Sequence, residues 1–291
     1  MMKDRRLLTA LSSALIAALL ACAPSAAPPP APEAGEPGPF ELVAWNINAG
    51  VGEEPSADFS AIAQALDRYG EAELFALSEV HPRWAMDLDR AARASGQRLL
   101  MGEDGRRQRL ALILDEARFE VLEWEELYAV DKDGRGRAPL SALLRDRVTG
   151  STLLVVVVHL RRGDAAARTG EAASLAAMLA QTDHPTLLVG DFNFDCNAER
   201  FPPEGCNQGW HALAEHPELR WRPHTGLAPT HCSRGRYHSV LDYVFTVNGA
   251  AGWGAEVTLD GSVCQDAMGR GAHAALHAVI DPRVGDAAPT R

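Results

Sequence analysis

The sequence lacks a hydrophobic run long enough to cross a membrane. Its longest apolar stretch covers residues 7–21, whereas a membrane-spanning helix needs about 20 consecutive apolar residues. Lys3, Arg5 and Arg6 precede this stretch, and a short apolar segment with a positive flank is typical of a secretory signal peptide. We therefore predict that residues 1–21 direct export and form no part of the folded domain.

The predicted signal segment ends in Leu19-Leu20-Ala21-Cys22, which resembles the bacterial lipobox. The resemblance implies an exported bacterial lipoprotein, held by a lipid on Cys22 at the cell envelope or the outer membrane surface. An ordinary cleaved signal with an incidental cysteine is the alternative. The Pro- and Ala-rich segment that follows is expected to act as a semi-extended tether. The predicted organisation is a signal peptide (1–21), a tether (22–39), one folded domain (40–283) and a C-terminal tail (284–291).

Positive charge is also scarce. The formal net charge is −11, and because residues 1–21 contribute +2, the rest of the chain carries −13. A protein with this charge has no long-range attraction for nucleic acid or anionic lipid. A polyanionic substrate would therefore have to be bound by a local basic surface or by metal ions.

The sequence contains no Cys-x-x-Cys pair, which disfavours a zinc site built from cysteines alone. Besides Cys22, the cysteines are Cys196, Cys206, Cys232 and Cys264. In an exported protein an even number of cysteines indicates disulfides, and four cysteines allow three pairings. Because they cluster around the segment that follows Asp191, we expect disulfides to brace it.

No internal repeat is present, and apolar strands alternate with helices along the chain. Helices are predicted at Asp58–Tyr69, Trp84–Ala94 and Ala165–Ala180. Strands are predicted at Glu41–Asn48, Leu74–Val80, Arg98–Met101, Leu110–Leu114, Val121–Trp124, Leu153–Leu160, Thr186–Val189, Leu241–Phe245 and Ala274–Ile280. Residues 134–137 and the proline-containing segment 195–239 are predicted to be irregular. Apolar strands that alternate with helices indicate α/β layers.

Polar residues stand at or near the ends of these predicted strands. They are Asn46, Glu79, His159, Asp191, Asn193, Asp242 and His273. Asp191 and Asn193 follow a buried strand two residues apart, so their side chains are expected on the same side of an extended chain. Either side chain could equally close an Asx turn. The recurrence of such residues at strand ends favours one shared site.

Six short segments, in this order, resemble the endonuclease/exonuclease/phosphatase superfamily and its deoxyribonuclease I-like branch. They are Trp45-Asn46-Ile47-Asn48, Leu77-Ser78-Glu79-Val80, Val158-His159-Leu160, Gly190-Asp191-Phe192-Asn193, Leu241-Asp242-Tyr243-Val244-Phe245 and His273-Ala274-Ala275-Leu276. The resemblance implies a four-layer α/β sandwich, in which two packed β-sheets are flanked by helices. It also implies metal-dependent hydrolysis of a phosphodiester, and we expect an extracytoplasmic endonuclease that acts on DNA.

The resemblance implies a role for each of these residues. Glu79 and Asn46 belong to the binding site of Mg²⁺, with Mn²⁺ or Ca²⁺ as alternatives, since hard cations prefer oxygen ligands. His273 is the base and Asp242 orients it. Asp191 and Asn193 position the attacking water and the phosphate. On the opposite side His159 acts as the acid or a phosphate ligand, and Arg137 contacts the substrate phosphate.

The resemblance also implies a Cys196–Cys232 disulfide, with Cys206–Cys264 as the second; the sequence-local pair Cys196–Cys206 is the alternative. One position departs from the family pattern, because Ala272 stands where the family usually has a metal-binding aspartate. Two other functions therefore stay open. One is a phosphoesterase acting on lipid headgroups or small phosphate esters, and the other is an impaired surface binding protein. No obligate protein partner is expected.

Overall fold

The computed structural model describes residues 35–131, 133–197, 206–233, 237–260 and 272–285, all within one compact unit of the chain. The predicted signal peptide, Cys22, most of the tether and Cys264 lie outside these residues. None of the helices in the described ranges is long and apolar enough to cross a bilayer.

The first of two sheets contains, among the described residues, β1 (Phe40–Asn46), β2 (Leu74–Val80), β3 (Gln97–Met101), β4 (Arg109–Asp115), β12 (Trp253–Asp260) and β14 (Ala275–Gly285). The spatial order is β12-β14-β1-β2-β4-β3. β1 and β2 run parallel, whereas the other neighbours are antiparallel. Because β1 and β2 are parallel, the polar residues that end them meet at one edge of the sheet.

The second sheet contains β5 (Phe119–Glu126), β6 (Leu140–Asp146), β7 (Thr152–His159), β8 (Thr186–Asn197), β9 (Leu219–Trp221), β10 (His231–Ser233), β11 (Tyr237–Val247) and β13 (Ala272–His273). The spatial order in the described part is β13-β10-β11-β8-β7-β6-β5, and β9 pairs with β11. β7 and β8 are parallel, with His159 opposite Asp191. The antiparallel β11 places Asp242 on the other side of Asp191.

Helices cover the outer faces of both sheets. They are α1 (Phe59–Asp67), α2 (Ala85–Ala94), α3 (Ala165–Leu179) and α4 (Gln208–Ala214). One buried cluster fills the space between the sheets, a second joins the first sheet to α1 and α2, and a third joins the second sheet to α3 and α4. Three hydrophobic layers between four layers of structure confirm the predicted four-layer α/β sandwich.

Six elements were missed at the level of sequence. β6, β12 and β13 were not assigned, and α4, β9 and β10 lie inside the segment predicted to be irregular. α4 begins because the side chain of Asn207 accepts hydrogen bonds from the backbone amides of Gly209 and Trp210, which is the usual role of Asn before a helix. β12 was overlooked because most of its side chains are partly or fully exposed, so it carries no continuous apolar run.

The predicted disulfide pairing was wrong. The structure joins Cys196 to Cys206 and leaves Cys232 as a buried free thiol. β10, which carries Cys232, and β8, which carries Cys196, lie on opposite sides of β11. Two strand spacings separate them by about 10 Å, and a disulfide requires Cα atoms within about 7 Å. Since Cys206 is taken, the predicted pair Cys206–Cys264 is excluded as well.

Gly190 lets β8 pass close to β7 immediately before Asp191. Its φ is +128°, and a Cβ atom at this position would overlap the backbone carbonyl oxygen of Val158. We expect Gly190→Ala to lower the free energy of unfolding by roughly 2–3 kcal/mol, because both the backbone and the neighbouring strand would have to shift. Urea unfolding monitored by circular dichroism measures this change.

Gly170→Ala is the matched control for this prediction. Gly170 lies within α3, and a Cβ atom there would meet no other heavy atom within 4 Å. Replacing a helical glycine with alanine raises stability by roughly 0.5–1 kcal/mol. Equal effects of the two substitutions would contradict the proposed steric role of Gly190.

Candidate active site

An Asp–His pair lies where the edge of the second sheet meets the first. Asp242 on β11 is buried, the side chain of His273 on β13 is 8% exposed, and His273 Nδ1 lies 2.8 Å from Asp242 Oδ2. The Nε2 atom of the same ring lies 3.8 Å from Asp191 Oδ2. A carboxylate on Nδ1 selects the tautomer and orientation of the ring, so Nε2 is the nitrogen available to a reactant.

Asp191 lies at the centre of the cluster. Its Oδ2 accepts a hydrogen bond from Asn46 Nδ2 at 2.9 Å, and its Oδ1 accepts one from the backbone amide of Asn193 at 2.9 Å. The second bond is an Asx-type turn, the alternative considered for this pair, and φ of Asn193 is +50°. The Nδ2 of Asn193 donates to the carbonyl oxygen of Leu160 at 3.0 Å. The turn therefore fixes the positions of Asp191 and Asn193 within the site.

Glu79 and His159 form the other side of the cluster. His159 Nε2 lies 3.5 Å from Asp191 Oδ2 and 3.8 Å from Glu79 Oε1, and His159 Nδ1 is buried with no hydrogen-bond partner in the described part of the chain. Glu79 has a left-handed φ of +56° at an irregularity in the pairing of β2 with β4. Strained backbone of this kind is common at functional sites.

Burial and mutual repulsion alter the protonation of these groups. Burial, together with the charge of Asp242, raises the pKa of Asp191 to about 7. Burial disfavours the charged form of His273, but Asp242, Asp191 and Glu79 outweigh it and raise its pKa to about 9. Burial, aided by the charge of Arg137, lowers the pKa of His159 well below its ordinary value. The pKa of His273 is therefore raised, whereas that of His159 is lowered.

Arg137 lies within electrostatic reach of the site. Burial lowers its pKa, while the charges of Glu79 and Asp191 oppose that shift. Its guanidinium donates to the side chain of Gln108 and, at 3.2 Å, to the Gln108 carbonyl oxygen. Gln108 thus holds the arginine that was predicted to contact the phosphate. Nothing in the sequence around Gln108 indicated this contact.

Two further residues that sequence reasoning missed hold the Asp–His pair in place. Thr230 Oγ1 accepts hydrogen bonds from the backbone amides of Leu241 and Asp242 at 2.9 and 3.1 Å, at the point where the pairing of β11 shifts. Trp45 Nε1 donates to the carbonyl oxygen of His273 at 3.1 Å. Trp45 precedes Asn46 in a segment already singled out, and that adjacency was the available signal.

Arg161 follows His159 closely in sequence, and its side chain is neutralised by carboxylates. Its guanidinium is paired with Asp131 at 2.7 Å and Asp133 at 2.6 Å, and its backbone amide donates to Glu171 at 2.8 Å. Asp131 also accepts from the backbone amide of Gly136, next to Arg137. These contacts brace the loop that carries Arg137.

The donor set fits a divalent cation. Glu79 is nearly buried, and within the described residues no hydrogen-bond donor reaches its carboxylate. The Oδ1 of Asp242 is buried without a partner, and Asp191, Asp242 and His273 each offer a ligand atom within 4.8 Å of the others. Unpaired buried carboxylates are costly, and burial, together with the charge of Asp242, accordingly raises the pKa of Asp191. Oxygen ligands of this kind suit Mg²⁺, Mn²⁺ or Ca²⁺.

Comparison with protein families agrees with this arrangement. The model of the Endonuclease/Exonuclease/phosphatase family matches residues 43–263. The chain belongs to this family. Members of the endonuclease/exonuclease/phosphatase family are hydrolases that act on phosphoester bonds and generally depend on divalent metals. The sequence matches none of the curated proteins with which it was compared.

Solved structures with the family fold resemble this chain at low sequence identity. An endonuclease/exonuclease/phosphatase from Bacteroides vulgatus has a TM-score of 0.63 at 12% identity, covering 84% of this chain and 98% of its own. TDP2 of D. rerio, complexed with a single strand DNA product, has a TM-score of 0.62 at 14% identity, covering 84% of this chain and 99% of its own. The mannosyl-6-phosphatase Bt3783 of Bacteroides thetaiotaomicron has a TM-score of 0.61 at 15% identity, covering 83% of this chain and 99% of its own. These values establish a shared fold.

Ala272 is the departure from the family pattern. It lies on β13 opposite Cys232, and Cys232 forms a small apolar cluster with Ala274. Asp242, Asp191 and Glu79 are the carboxylates whose charges act most strongly on the neighbouring His273. Position 272 itself supplies no carboxylate to the site.

Introducing an aspartate at position 272 tests whether its absence weakens metal binding. We expect Ala272→Asp to lower the metal concentration needed for half-maximal activity by about tenfold, because metal sites gain roughly that much from an added carboxylate ligand or its hydrogen bonds. The matched control is Ala173→Asp, which makes the same charge change at an exposed position of α3. An unchanged metal requirement in Ala272→Asp would show that position 272 has no part in metal binding.

Proposed function

We propose that the protein is a divalent-metal-dependent phosphodiester hydrolase that acts on DNA outside the cytoplasm. The observation that carries this proposal is the buried Asp242–His273 pair, whose free Nε2 faces Asp191 across 3.8 Å. The same cluster contains the amide of Asn46 and the carboxylate of Glu79. A base, oxygen ligands for a cation and hydrogen-bond donors thus converge, as phosphodiester hydrolysis requires.

In this proposal Glu79 and Asn46 hold the cation, with Asp191 beside them. The cation would neutralise charge on the phosphoryl oxygens and polarise the phosphorus centre. Asp191 carries negative charge into the site and fixes Asn46 through the 2.9 Å hydrogen bond. Its other oxygen orders the turn that presents Asn193. Arg137 adds positive charge on the same side of the site.

His273 acts as the base. Because Nδ1 is bonded to Asp242, Nε2 accepts the proton of the attacking water, and Asp242 stabilises the imidazolium that forms. The pKa of about 9 applies to the protein without a cation, where three carboxylates act on the ring. A cation held by Glu79 and Asn46 would offset the negative charge around the ring and lower that pKa, so that Nε2 could accept a proton near neutral pH.

His159 acts on the opposite side. Its lowered pKa makes the imidazole neutral in the free protein, so it enters the reaction as a hydrogen-bond donor to a phosphate oxygen. The negative charge of a bound phosphate raises this pKa, so that the ring takes up a second proton from solvent and passes it to the leaving oxygen. Its buried Nδ1 has no partner in the described part of the chain.

A second candidate function is hydrolysis of a small phosphate ester or a lipid headgroup. It is favoured by the charge of −13 that follows residue 21, since such a protein does not attract a polyanion over distance. A binding protein on an impaired catalytic scaffold is the third candidate, and Ala272 is the reason to retain it.

One experiment separates the three functions. The folded protein is incubated with supercoiled plasmid, with phospholipid vesicles and with small phosphate monoesters, each with Mg²⁺, Mn²⁺ or Ca²⁺. Nicked plasmid is the result expected for the DNA hydrolase. Hydrolysis of only lipid or small esters would replace it with the second candidate. No hydrolysis of any ester at high metal concentration would leave the binding protein.

The proposed location rests on the segment before residue 40. Lipidation of Cys22 and export are expected to place the domain on the outer face of a bacterial membrane, with residues 22–39 as the tether. Fractionation of cells that express the full chain tests this, because the protein should then be recovered with membranes and released by Cys22→Ala. Equal recovery of both proteins in the soluble fraction would contradict the anchor.

A further inference from the structure

A cavity of about 530 Å³ opens directly beside the proposed catalytic groups. It is lined by Asn193 of β8, by His231 of β10 and by Ala165, the first residue of α3. Arg162 and Arg168 line it as well. The cavity therefore shares Asn193 with the active site and extends from it toward two arginines.

His231 has no function in the site described above. It is 7% exposed, lies opposite His273 in the pairing of β10 with β13, and the centroids of the two rings are 4.6 Å apart. No hydrogen bond to its imidazole is found among the described residues. Because buried polar groups are normally hydrogen-bonded, a ring in the cavity wall without such a partner is available to donate to a ligand in the cavity.

Arg168 supplies a second buried donor. It is also 7% exposed; its Nη1 donates to the carbonyl oxygen of Arg161 at 2.8 Å, while its Nε is buried without a partner. Arg162, by contrast, is exposed and forms no ion pair within the described residues. One arginine is thus fixed in the wall, and the other is free to close over a ligand.

The helix end adds to this positive side. The first backbone amides of a helix have no partner within the helix and carry a partial positive charge, and Asp164 caps only the amide of Ala167 among them. One carboxylate, Asp195, lines the cavity, and it accepts a hydrogen bond from Ser239 at 3.0 Å. The donors therefore outnumber the acceptors, and they suit an oxyanion.

We infer that this cavity is a subsite for a second phosphate group of the substrate, next to the phosphate that is hydrolysed. Arg162 and Arg168 bind its oxygens as charge-assisted donors, and His231 and the first amides of α3 complete the contacts. This inference rests on the proposed function, because a subsite at this place selects a substrate with consecutive phosphates, such as an oligonucleotide, over an isolated phosphate ester.

Binding of thymidine 3′,5′-bisphosphate tests the subsite without requiring catalysis. Isothermal titration calorimetry in the presence of Mg²⁺ compares it with the 3′- and 5′-monophosphates. We expect the bisphosphate to bind the wild-type protein at least tenfold more tightly than either monophosphate, since one charge-assisted hydrogen bond contributes about that factor. Arg162→Ala should abolish the preference, and Arg162→Lys should keep part of it.

Arg90→Ala is the matched control, because Arg90 is an exposed arginine of α2 and should leave the preference unchanged. His231→Phe retains an aromatic ring against His273 but no donor, and it should weaken bisphosphate binding alone. Equal affinity of wild-type protein for mono- and bisphosphate, or a preference that survives Arg162→Ala, would overturn the subsite. Plasmid nicking without any bisphosphate preference would refute the subsite and leave the proposed hydrolase intact. A preference without hydrolysis would refute the hydrolase alone.

Discussion

His273→Ala is expected to lower kcat for phosphodiester hydrolysis by roughly 10²–10⁴-fold, the contribution that a positioned general base makes. The imidazole Nε2 is the group placed to accept the proton of the attacking water, since Nδ1 is bonded to Asp242 at 2.8 Å. The KM should change much less, because the interaction that is lost develops in the transition state. Steady-state kinetics on an oligonucleotide, with circular dichroism to confirm folding, measure both quantities.

Two further variants separate the chemistry of His273 from its position. His273→Asn keeps an N–H group near Asp242 but cannot accept the proton, so it should be as inactive as His273→Ala. Added imidazole should restore part of the activity of His273→Ala, which leaves space for it, but less of that of His273→Asn. His211→Ala, at an exposed position of α4, is the matched control. Full activity in His273→Asn would refute the role of base.

Glu79→Gln is expected to reduce activity by at least 10²-fold and to remove most of the affinity for Mg²⁺. The substitution preserves the size of the side chain but removes the charge that a hard cation requires. No donor among the described residues reaches this carboxylate, so no protein hydrogen bond is lost with it. The activity loss and the metal affinity should therefore change together.

Thermal unfolding provides a readout for Glu79 that does not depend on catalysis. A ligand that binds only the folded state raises the melting temperature, so Mg²⁺ should stabilise the wild-type protein and have little effect on Glu79→Gln. Without metal, Glu79→Gln should be at least as stable as wild type, because the substitution removes a buried carboxylate charge that no described hydrogen-bond donor compensates. Glu123→Gln, on an exposed part of β5, is the control. The same stabilisation by Mg²⁺ in all three proteins would contradict metal binding by Glu79.

Much of the fold could be predicted because its strands are buried on both faces. The run from Val155 to Val158 and the segment from Leu187 to Val189 are fully buried, so an apolar run alone identified β7 and β8. β12 is mostly exposed on one side and gave no such signal. β6 carries Arg145 and Asp146, which interrupt its apolar pattern.

The site residues could be predicted because they follow apolar runs, and Asn46, Glu79 and His159 lie at or near the ends of their strands, although Asp191 and Asp242 lie within β8 and β11, which continue beyond them. Parallel neighbours bring such positions together. Asn46 with Glu79 and His159 with Asp191 meet in this way. Gln108, Thr230 and His231 could not be found by the same reasoning. They act through contacts between residues distant in sequence, for which no local periodicity exists.

The sequence alone predicts many of the strands and helices in their order, the four-layer sandwich that the family resemblance implies, and the charged and amide residues of the active site. It does not predict the disulfide, the hydrogen bonds of Thr230 and Trp45 to the Asp–His pair, or the cavity beside that pair. Each of these depends on the distance between residues that are far apart in the sequence. Burial and strand periodicity are local properties of the chain, whereas the separation of Cys196 from Cys232 depends on the strand that lies between them.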